Sequence, residues 1–469
     1  MLHHRSKMAD NVAEGGTAEP EQQPAAFGLA VTLAVGAVVL LVMMVCNVGR
    51  SSSKAQPVEE EEPEKSNSKK KTSQSKKPKS SQGKQSKKSN QSSFTHPYLS
   101  CTLKSHADTV VDVDFSINGK YLASAAEDRT VRIWSVKEFK DREHKSLRGN
   151  VEYDSATRVK FSPDSRAFVV SLANGNTLRI FKLGKKEDGS GNSIIPNPED
   201  FPKKHSTDII NIGIASNGKF MMTASNDTTI LLWDLKGEIL STINTNQMHN
   251  NYCAVSPCGR FVGSCGFTPD VKIWEVTFTK SGEFKEVVRA MELKGHKASV
   301  YHFAFSIDST RMATISKDGT WKVWDTNVEY AKNQDPYLLH TGQFDHSGPA
   351  KIALAPDGLS FAVASGYDVT LYDTMSWEKE ETFRDIHTLP VSTLAFSPSS
   401  KYLVTCGDRH IRVFHNVAGY KAIIADMEDK KRKSSTSQAM KERLDVMIKE
   451  YTETLNTILD IKDKEQEKK

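Results

Sequence analysis

Hydrophobic and polar residues alternate along short segments of the chain between about residues 94 and 416. Within Thr130–Trp134, Val131 and Ile133 fall on one face and Arg132 on the other, and the same alternation returns in Thr320–Trp324. A period of two residues is typical of β-strands with one buried face. Strands this short cannot bury an apolar face alone, so the pattern predicts sheets that stack on one another.

The strands recur in a repeating unit, in which a tight turn precedes an apolar run that ends in an aromatic residue. The seven runs end at Trp134, Phe181, Trp233, Trp274, Trp324, Tyr372 and Phe414. A spacing of roughly 40 to 53 residues fits four-stranded blades, so we predict an all-β, seven-bladed β-propeller over residues 94–416. No strand follows Phe414, and we therefore expect Tyr98–Leu103 to complete the last blade and close the ring.

Three units share a histidine, an aspartate 22 residues later and a tryptophan 6 residues beyond it, with a Ser or Thr at a fixed offset. The three sets are His106, Ser124, Asp128 and Trp134; His205, Thr223, Asp227 and Trp233; and His296, Thr314, Asp318 and Trp324. A buried aspartate is costly unless it is hydrogen-bonded. The same residue types form catalytic triads, but a threefold repetition favours a structural hydrogen-bond network inside each blade.

The remaining blades depart from this pattern. Blade two has Gly175 in place of the aspartate, blades four and six carry Asp270 and Asp368 in shortened turns, and blade seven combines His387 and Asp408 with Phe414. We therefore predict complete networks in blades one, three and five. The degenerate blades are the expected places for specialised loops.

The repeats resemble the WD-repeat superfamily, with Trp233-Asp234 and Trp324-Asp325 as its characteristic dipeptides. Residues 199–205, 241–248 and 265–272 lie outside the general repeat and are similar to the transducin β-like members of that superfamily. The resemblance implies a non-enzymatic scaffold in the endoplasmic reticulum membrane. It also implies association with a stress-sensing kinase and with the translation machinery in the unfolded protein response.

An uncharged segment near the N-terminus predicts membrane insertion. Residues 27–46 carry no charge over twenty positions, which suffices for a helix to cross a bilayer. A cleaved signal peptide is the alternative, but residues 1–26 are acidic and a signal peptide begins with basic residues. We predict an uncleaved transmembrane anchor at residues 27–48. Arg50 and Lys54 on its C-terminal side predict a propeller facing the cytosol, where the sequons at Asn90 and Asn226 stay unmodified.

Residues 49–93 are dominated by Ser, Lys and Gln, and we expect this linker to be disordered. Residues 65–88 contain ten lysines and no acidic residue. A solvated spacer, contact with anionic lipid and contact with RNA phosphates all fit this composition. An RNA- or ribosome-binding tether, helped by Lys185-Lys186 and Lys203-Lys204, is therefore the alternative function.

The last segment, residues 417–469, is predicted to be a charged, helical tail. From Met440 to Leu459 apolar residues recur at steps of three and four, as an amphipathic helix requires, and Ser437 is a suitable N-cap. Such a helix either packs on the propeller or forms a short coiled coil with a partner.

Composition and motifs argue against catalysis. The net charge is only +5, and the cysteines lack a zinc-site spacing, so we predict no metal and no cofactor. The chain has no Gly-rich phosphate loop, nucleophile elbow or His-Glu-x-x-His helix. We predict a non-enzyme that binds protein partners. Glu127, Asn226, Lys317 and Arg409 are the candidate partner-binding residues, although solvated turn residues have the same composition.

Overall fold

The computed structural model of the protein describes residues 94–185, 192–345, 348–433 and 437–466, with side chains described as far as Asp460. The predicted anchor at 27–48, the predicted linker at 49–93 and Lys186 lie outside the described residues. Across the described ranges, no helix combines the length and apolar character that crossing a bilayer requires.

The described strands form seven antiparallel sheets of four strands each. The first four blades comprise β2–β5 (Val110–Phe115, Tyr121–Ala126, Thr130–Ser135, Ser146–Asn150), β6–β9 (Ala156–Phe161, Ala167–Leu172, Leu178–Lys185, Asn192–Pro196), β10–β13 (Ile209–Ile214, Met221–Ser225, Thr229–Trp233, Ile239–Asn244) and β14–β17 (Asn250–Val255, Phe261–Gly266, Val271–Phe278, Phe284–Leu293). The last three comprise β18–β21 (Val300–Phe305, Arg311–Ser316, Thr320–Asp325, Tyr337–Gln343), β22–β25 (Ala350–Leu354, Ser360–Ser365, Asp368–Asp373, Lys379–Phe383) and β26–β28 (Thr393–Phe396, Tyr402–Cys406, His410–His415) with β1 (Leu99–Lys104).

The first strands of the seven sheets line a central channel. Each of them contacts the first strand of the next sheet, and β26 of blade seven contacts β2 of blade one, so the ring is closed. Apolar side chains fill the space between sheets; Trp321 of blade five, for example, packs on Phe361 and Tyr372 of blade six at ring-centroid distances of 4.7 and 5.3 Å. The prediction of a seven-bladed all-β propeller is confirmed.

Strand β1 supplies the fourth strand of blade seven. It pairs antiparallel with β28, with Leu99 opposite Phe414 and Lys104 opposite His410. The N–H of His415 also donates to the carbonyl of Tyr98 at 2.8 Å. The two ends of the propeller sequence are thereby joined in one sheet, as the sequence predicts.

The propeller has two faces that differ in the loops they carry. The loops that connect blades lie on the same face as the turns between second and third strands, because His106 in one such loop bonds to Asp128 in one such turn. We call this face the upper face. The lower face carries the remaining turns, such as Ser116–Tyr121 between β2 and β3.

Among the described residues, two helices follow the propeller where the apolar pattern predicted one. They are α1 (Val417–Arg432), capped by the Asn416 side chain, and α2 (Gln438–Gln466), capped by the Ser437 hydroxyl, which accepts from the N–H of Met440 at 3.4 Å. Both pack against blades six and seven through Tyr420, Leu455 and Ile458. Helix α1 buries mainly small residues, which explains why its sequence shows little apolar periodicity.

Candidate protein-binding face

The predicted networks of blades one and five are both assembled. In blade one, Nδ1 of His106 lies 3.0 Å from Oδ2 of Asp128 and its Nε2 lies 2.8 Å from the Ser124 hydroxyl. The indole N–H of Trp134 donates to the same hydroxyl at 2.9 Å. In blade five the corresponding distances are 3.0, 2.8 and 2.9 Å, for His296, Asp318, Thr314 and Trp324.

A threonine that the sequence analysis did not identify completes each of these networks. The hydroxyl of Thr320 donates to Oδ1 of Asp318 at 2.6 Å, and Thr130 contacts Asp128 in the same way. Burial raises the pKa of Asp318, but hydrogen bonds from Thr320 and from the N–H of Lys297 outweigh it and hold the pKa at about 2. Burial lowers the pKa of His296. In each of these two blades a neutral imidazole therefore lies between a carboxylate and a hydroxyl. We call this arrangement a His–Asp clasp, and its repetition in two blades indicates a structural role.

Blade three corrects the prediction. His205 contacts the Thr223 hydroxyl at 2.6 Å, and Trp233 donates to that hydroxyl at 2.8 Å. In the part of the chain that the structure describes, however, no hydrogen bond joins His205 to Asp227. The hydroxyl of Thr207 approaches the carboxylate instead, at 3.4 Å. The prediction of a complete network is therefore wrong for blade three at the His–Asp step.

Blade seven uses an arginine where blades one and five use a threonine, since Thr130 and Thr320 contact both the aspartate and Nδ1 of the histidine in those blades. Phe414 has no donor, and Arg412 directs its guanidinium to Nδ1 of His387 at 2.6 Å and to Oδ2 of Asp408 at 3.2 Å. Nδ1 of His387 also lies 3.2 Å from Oδ1 of Asp408, and its Nε2 lies 3.0 Å from the Thr405 hydroxyl. Burial raises the pKa of Asp408, but contacts with His387 and Arg412 more than reverse that effect and leave it far below the ordinary value.

Blade two anchors its upper loop through a different carboxylate. Asp154 is buried and accepts hydrogen bonds from the N–H groups of Ser155, Asn174 and Gly175 at 2.7, 3.0 and 2.8 Å. Gly175, which replaces the expected aspartate, thus serves as a donor to Asp154. The loop between blades one and two is fixed without a histidine.

Blade four anchors its upper loop through neutral amides. The side chain of Asn250 accepts from Thr245 at 2.7 Å and from Ser264 at 3.1 Å, and donates to the Ser225 carbonyl at 3.1 Å. Gln247, fully buried in the same loop, donates to the Ser264 carbonyl at 3.2 Å. The loop between blades three and four is therefore attached without a His–Asp pair.

Large apolar side chains project from the upper face of the degenerate blades. The exposed ones are Tyr153, Met248, Phe267, Tyr367 and Leu389, on blades two, four, six and seven. Tyr153 and Met248 are 95% and 74% exposed and have φ angles of 63° and 62°. A left-handed backbone is uncommon for residues of this size. Each adjoins a buried anchor, Asp154 or Gln247, which holds the apolar side chain in solvent.

The four partner-binding candidates from the sequence all lie on the same upper face. Glu127, Asn226, Lys317 and Arg409 are exposed in turns between second and third strands, on blades one, three, five and seven. Arg409 also lines a cavity of about 610 Å³ where blade seven meets the first loop of blade one. Sequence reasoning missed Tyr153 and Met248, although the departure of blades two and four from the His-Asp-Trp pattern was a usable signal.

No metal-binding arrangement is found among the described residues: no group of three His, Cys, Asp or Glu side chains is placed to hold an ion. Four of the described cysteines are free and buried, whereas Cys258 is free and exposed on the lower face.

A model of the WD domain, G-beta repeat, matches residues 98–135, 199–234, 288–325 and 378–415. The matched segments end near Trp134, Trp233, Trp324 and Phe414. Three of these segments, 98–135, 288–325 and 378–415, contain all or part of the outermost strand of one blade and the first three strands of the next. Residues 199–234 contain only the first three strands of blade three.

The chain is similar over most of its length to named proteins. It is 52% identical to transducin beta-like protein 2 of Mus musculus over 445 residues, covering 94% of this chain and 99% of that protein. It is 55% identical to transducin beta-like protein 2 of Homo sapiens over 377 residues, covering 80% and 84%. It is also 26% identical to pre-mRNA-processing factor 19 of Oryza sativa subsp. japonica over 272 residues, covering 55% and 46%. The chain therefore belongs to the transducin beta-like protein 2 family of WD-repeat propellers.

Proposed function

We propose that this chain is a non-enzymatic scaffold, anchored in the endoplasmic reticulum membrane by residues 27–46, whose propeller presents its upper face to cytosolic proteins. The observation that carries the proposal is the pair Tyr153 and Met248, which are held in solvent by buried anchors. WD-repeat propellers are generally non-enzymatic scaffolds, and this one follows their architecture.

Side chains that are already ordered favour the binding of a partner. Association costs less when side chains at the interface are already ordered, and tyrosine and methionine are enriched at protein interfaces. Tyr153 adjoins Asp154, which accepts three backbone hydrogen bonds, and Met248 adjoins the fully buried Gln247. Two ordered apolar side chains among polar turn residues are typical of a binding surface in which a few residues supply most of the binding energy.

Membrane anchoring rests on the uncharged segment at residues 27–46 and on the basic residues that follow it. The orientation has a direct test. Asn226 is exposed in an Asn-x-Thr sequon on the upper face, so a propeller in the endoplasmic reticulum lumen would be accessible for glycosylation there. An unglycosylated Asn226 supports the cytosolic orientation, and a glycan on Asn226 contradicts it.

The proposed partners are a stress-sensing kinase of the endoplasmic reticulum and components of the translation machinery. The similarity to transducin beta-like protein 2 over nearly the whole chain supports this assignment. The exposed apolar residues of blades two and four are the surface through which we expect the contact to form.

The experiment compares proximity labelling by the full-length chain and by a Tyr153→Asn, Met248→Asn variant. Asparagine tolerates a left-handed backbone, so the loops keep their shape while the apolar contacts are lost. Met375→Asn is the matched control, because Met375 is 56% exposed but lies on the lower face. We expect the double variant to lose the labelled kinase and translation components and the control to retain them. Equal labelling by all three proteins contradicts the proposed binding face.

A second candidate function is RNA or ribosome binding through the lysine-rich segment. The supporting observation is the run of ten lysines without an acidic residue at 65–88. Binding through phosphates weakens steeply as salt rises. Salt-dependent RNA binding that disappears when residues 65–88 are deleted supports this function, and binding that survives the deletion contradicts the role of the segment.

A further inference from the structure

The cavity of about 610 Å³ on the upper face, where blade seven meets the first loop of blade one, is lined by several basic side chains. Its volume lies within the range of ligand-binding sites. The basic residues in its lining are Lys104, Arg409, His410 and Arg412. Lys104 and Arg409 are exposed, whereas Arg412 is buried. Basic groups from β1, from β28 and from the turn before β28 therefore converge on one cavity.

The backbone on both sides of this cavity is held by carboxylates of blades one and seven. On one side the N–H of Ala107 donates to Asp128 at 2.9 Å, and on the other the N–H of Thr388 donates to Asp408 at 3.3 Å. Each carboxylate also contacts the histidine of its own blade, at 3.0 and 3.2 Å. Because both walls are already fixed, a ligand can enter with little cost in ordering the loops.

The cations act on one another across the cavity. Burial lowers the pKa of His410, although Asp408 opposes this effect. Three nearby cations lower that pKa further, namely Arg412, Arg409 and Lys104. His410 is therefore neutral near pH 7. The same closeness of like charges makes the cavity a favourable place for an anion.

The charges in the lining leave a surplus of one positive charge. Arg412 is paired with Asp408 at 3.2 Å, so its charge is compensated. Among the other lining residues, Lys104 and Arg409 stand against a single carboxylate, that of Asp108. A group with one negative charge restores the balance. A phosphate dianion fits less well, because Asp108 and Asp408 repel its second charge.

Apolar groups border the cations. Leu389 is 47% exposed and lines the cavity together with Ala107 and Phe94. A ligand that carries a carboxylate beside an apolar side chain therefore matches both parts of the lining.

We propose that this cavity binds an acidic peptide segment of a protein partner, with an aspartate or glutamate carboxylate between Lys104 and Arg409 and an apolar side chain on Leu389. The planar guanidinium of Arg409 offers a carboxylate two parallel hydrogen bonds, and the ammonium of Lys104 offers another. The inference rests on the proposed function, in which partner proteins bind the upper face, and adds a second contact to that of Tyr153 and Met248.

The test is a selection of peptides by the purified full-length chain in detergent, from a displayed library of short random sequences. Peptides are kept when they bind the unsubstituted chain and fail to bind a Lys104→Glu, Arg409→Glu variant. Both side chains are exposed, so the variant should keep its thermal stability. We expect the kept peptides to be enriched in aspartate or glutamate next to an apolar residue. The proposal is overturned if no peptide distinguishes the two proteins, or if the kept peptides lack acidic residues.

Two changes to a selected peptide test the chemistry of the site. Replacing its acidic residue by the corresponding amide should weaken binding roughly tenfold or more, because the charge-assisted hydrogen bonds are lost. Equal binding of the amide peptide contradicts the proposal. A phosphoserine in place of the acidic residue should bind no more tightly, and tighter binding would assign the cavity to phosphate instead.

A matched control variant tests the position of the site. Lys297→Glu, Lys317→Glu reverses two exposed charges on the upper face of blade five, and it should bind the selected peptides as the unsubstituted chain does. Loss of binding in this variant would mean that the overall charge of the upper face, rather than the cavity, holds the peptide.

The Tyr153→Asn, Met248→Asn variant separates this proposal from the proposed function. It should retain the selected peptides, because neither residue lines the cavity, and loss of the peptides would place their site elsewhere. If no acidic peptide is selected while proximity labelling still depends on Tyr153 and Met248, the cavity proposal fails and the proposed function stands. If acidic peptides bind the cavity while that labelling is unchanged by the double variant, the reverse holds.

Discussion

Arg412 donates to the carboxylate of Asp408 across 3.2 Å inside blade seven, and both side chains are buried. This pair occurs in the blade whose Phe414 cannot supply the indole donor found in blades one and five. Arg412 contacts His387 and Asp408, the same two groups that a threonine hydroxyl contacts in blades one and five. An ionic contact thus replaces a neutral hydrogen bond at the place where the ring closes.

The first prediction concerns this pair. Arg412→Met or Asp408→Asn leaves one buried charge without its partner, and each should lower the free energy of unfolding by about 3–5 kcal/mol. The double variant leaves no unpaired charge and should cost clearly less than the sum of the two. Denaturant unfolding of the four proteins measures the coupling. Strict additivity would show that the contact contributes nothing specific.

The second prediction compares two aspartates that occupy the same position in different blades. Asp318 bonds to His296 and to the N–H of Lys297, whereas Asp227 bonds to neither equivalent group. Asp318→Ala leaves more buried groups unsatisfied and should be more destabilising than Asp227→Ala by about 1–3 kcal/mol. Thermal unfolding of the two variants checks the difference, and equal costs would mean that the His–Asp contact is unimportant.

The third prediction is a loss of stability in acid. The pKa of Asp318 is about 2 in the folded protein, below the unfolded value, so its contribution is present above the unfolded pKa and is lost as the pH falls towards 2. The pKa of His296 is also lowered by burial, so protonation of the unfolded chain destabilises the fold as the pH drops below about 6.5. Unfolding free energies measured from pH 7 to 3 should therefore decrease throughout. Asp318→Asn should flatten the curve below about pH 5, and an unchanged slope in that variant contradicts the assignment.

The fourth prediction tests ring closure. Leu103 of β1 is buried in the core between blades seven and one, and Leu103→Ala should cost about 2–5 kcal/mol. Lys104→Ala, at the exposed end of the same strand, should change the stability by less than about 0.5 kcal/mol. If both substitutions have small effects in denaturant unfolding, β1 does not hold the ring closed.

The architecture was predictable because its signals are local and repeated. Turn residues and strands with alternating polarity recur seven times, so a repeat whose own sequence signal is weak can be identified from its spacing to the other six. The strand at Leu99–Lys104 was predictable for the same reason, since blade seven lacked a fourth strand. Blade three shows the limit of this reasoning. Its histidine and aspartate match the pattern, yet among the described residues no hydrogen bond joins them, and the Thr207 hydroxyl lies 3.4 Å from the carboxylate.

The substitutes for the clasps were not predictable because each occurs once. Arg412 occupies the position of Arg132 in blade one and Lys322 in blade five, whose side chains turn instead to Ser146 and Thr341. The residue type alone does not determine which way the side chain turns. The Asp154 and Asn250 contacts depend equally on loop conformations that have no second copy in the chain.

The measurement that tests the account most directly places a photo-crosslinking amino acid at position 153 or at position 375 of the full-length chain in cells. Position 153 lies beside the Asp154 anchor on the upper face, and position 375 is exposed on the lower face. The account predicts protein adducts from position 153 and few or none from position 375. Protein adducts from position 375 alone would contradict the proposal that partners bind the upper face at the degenerate blades.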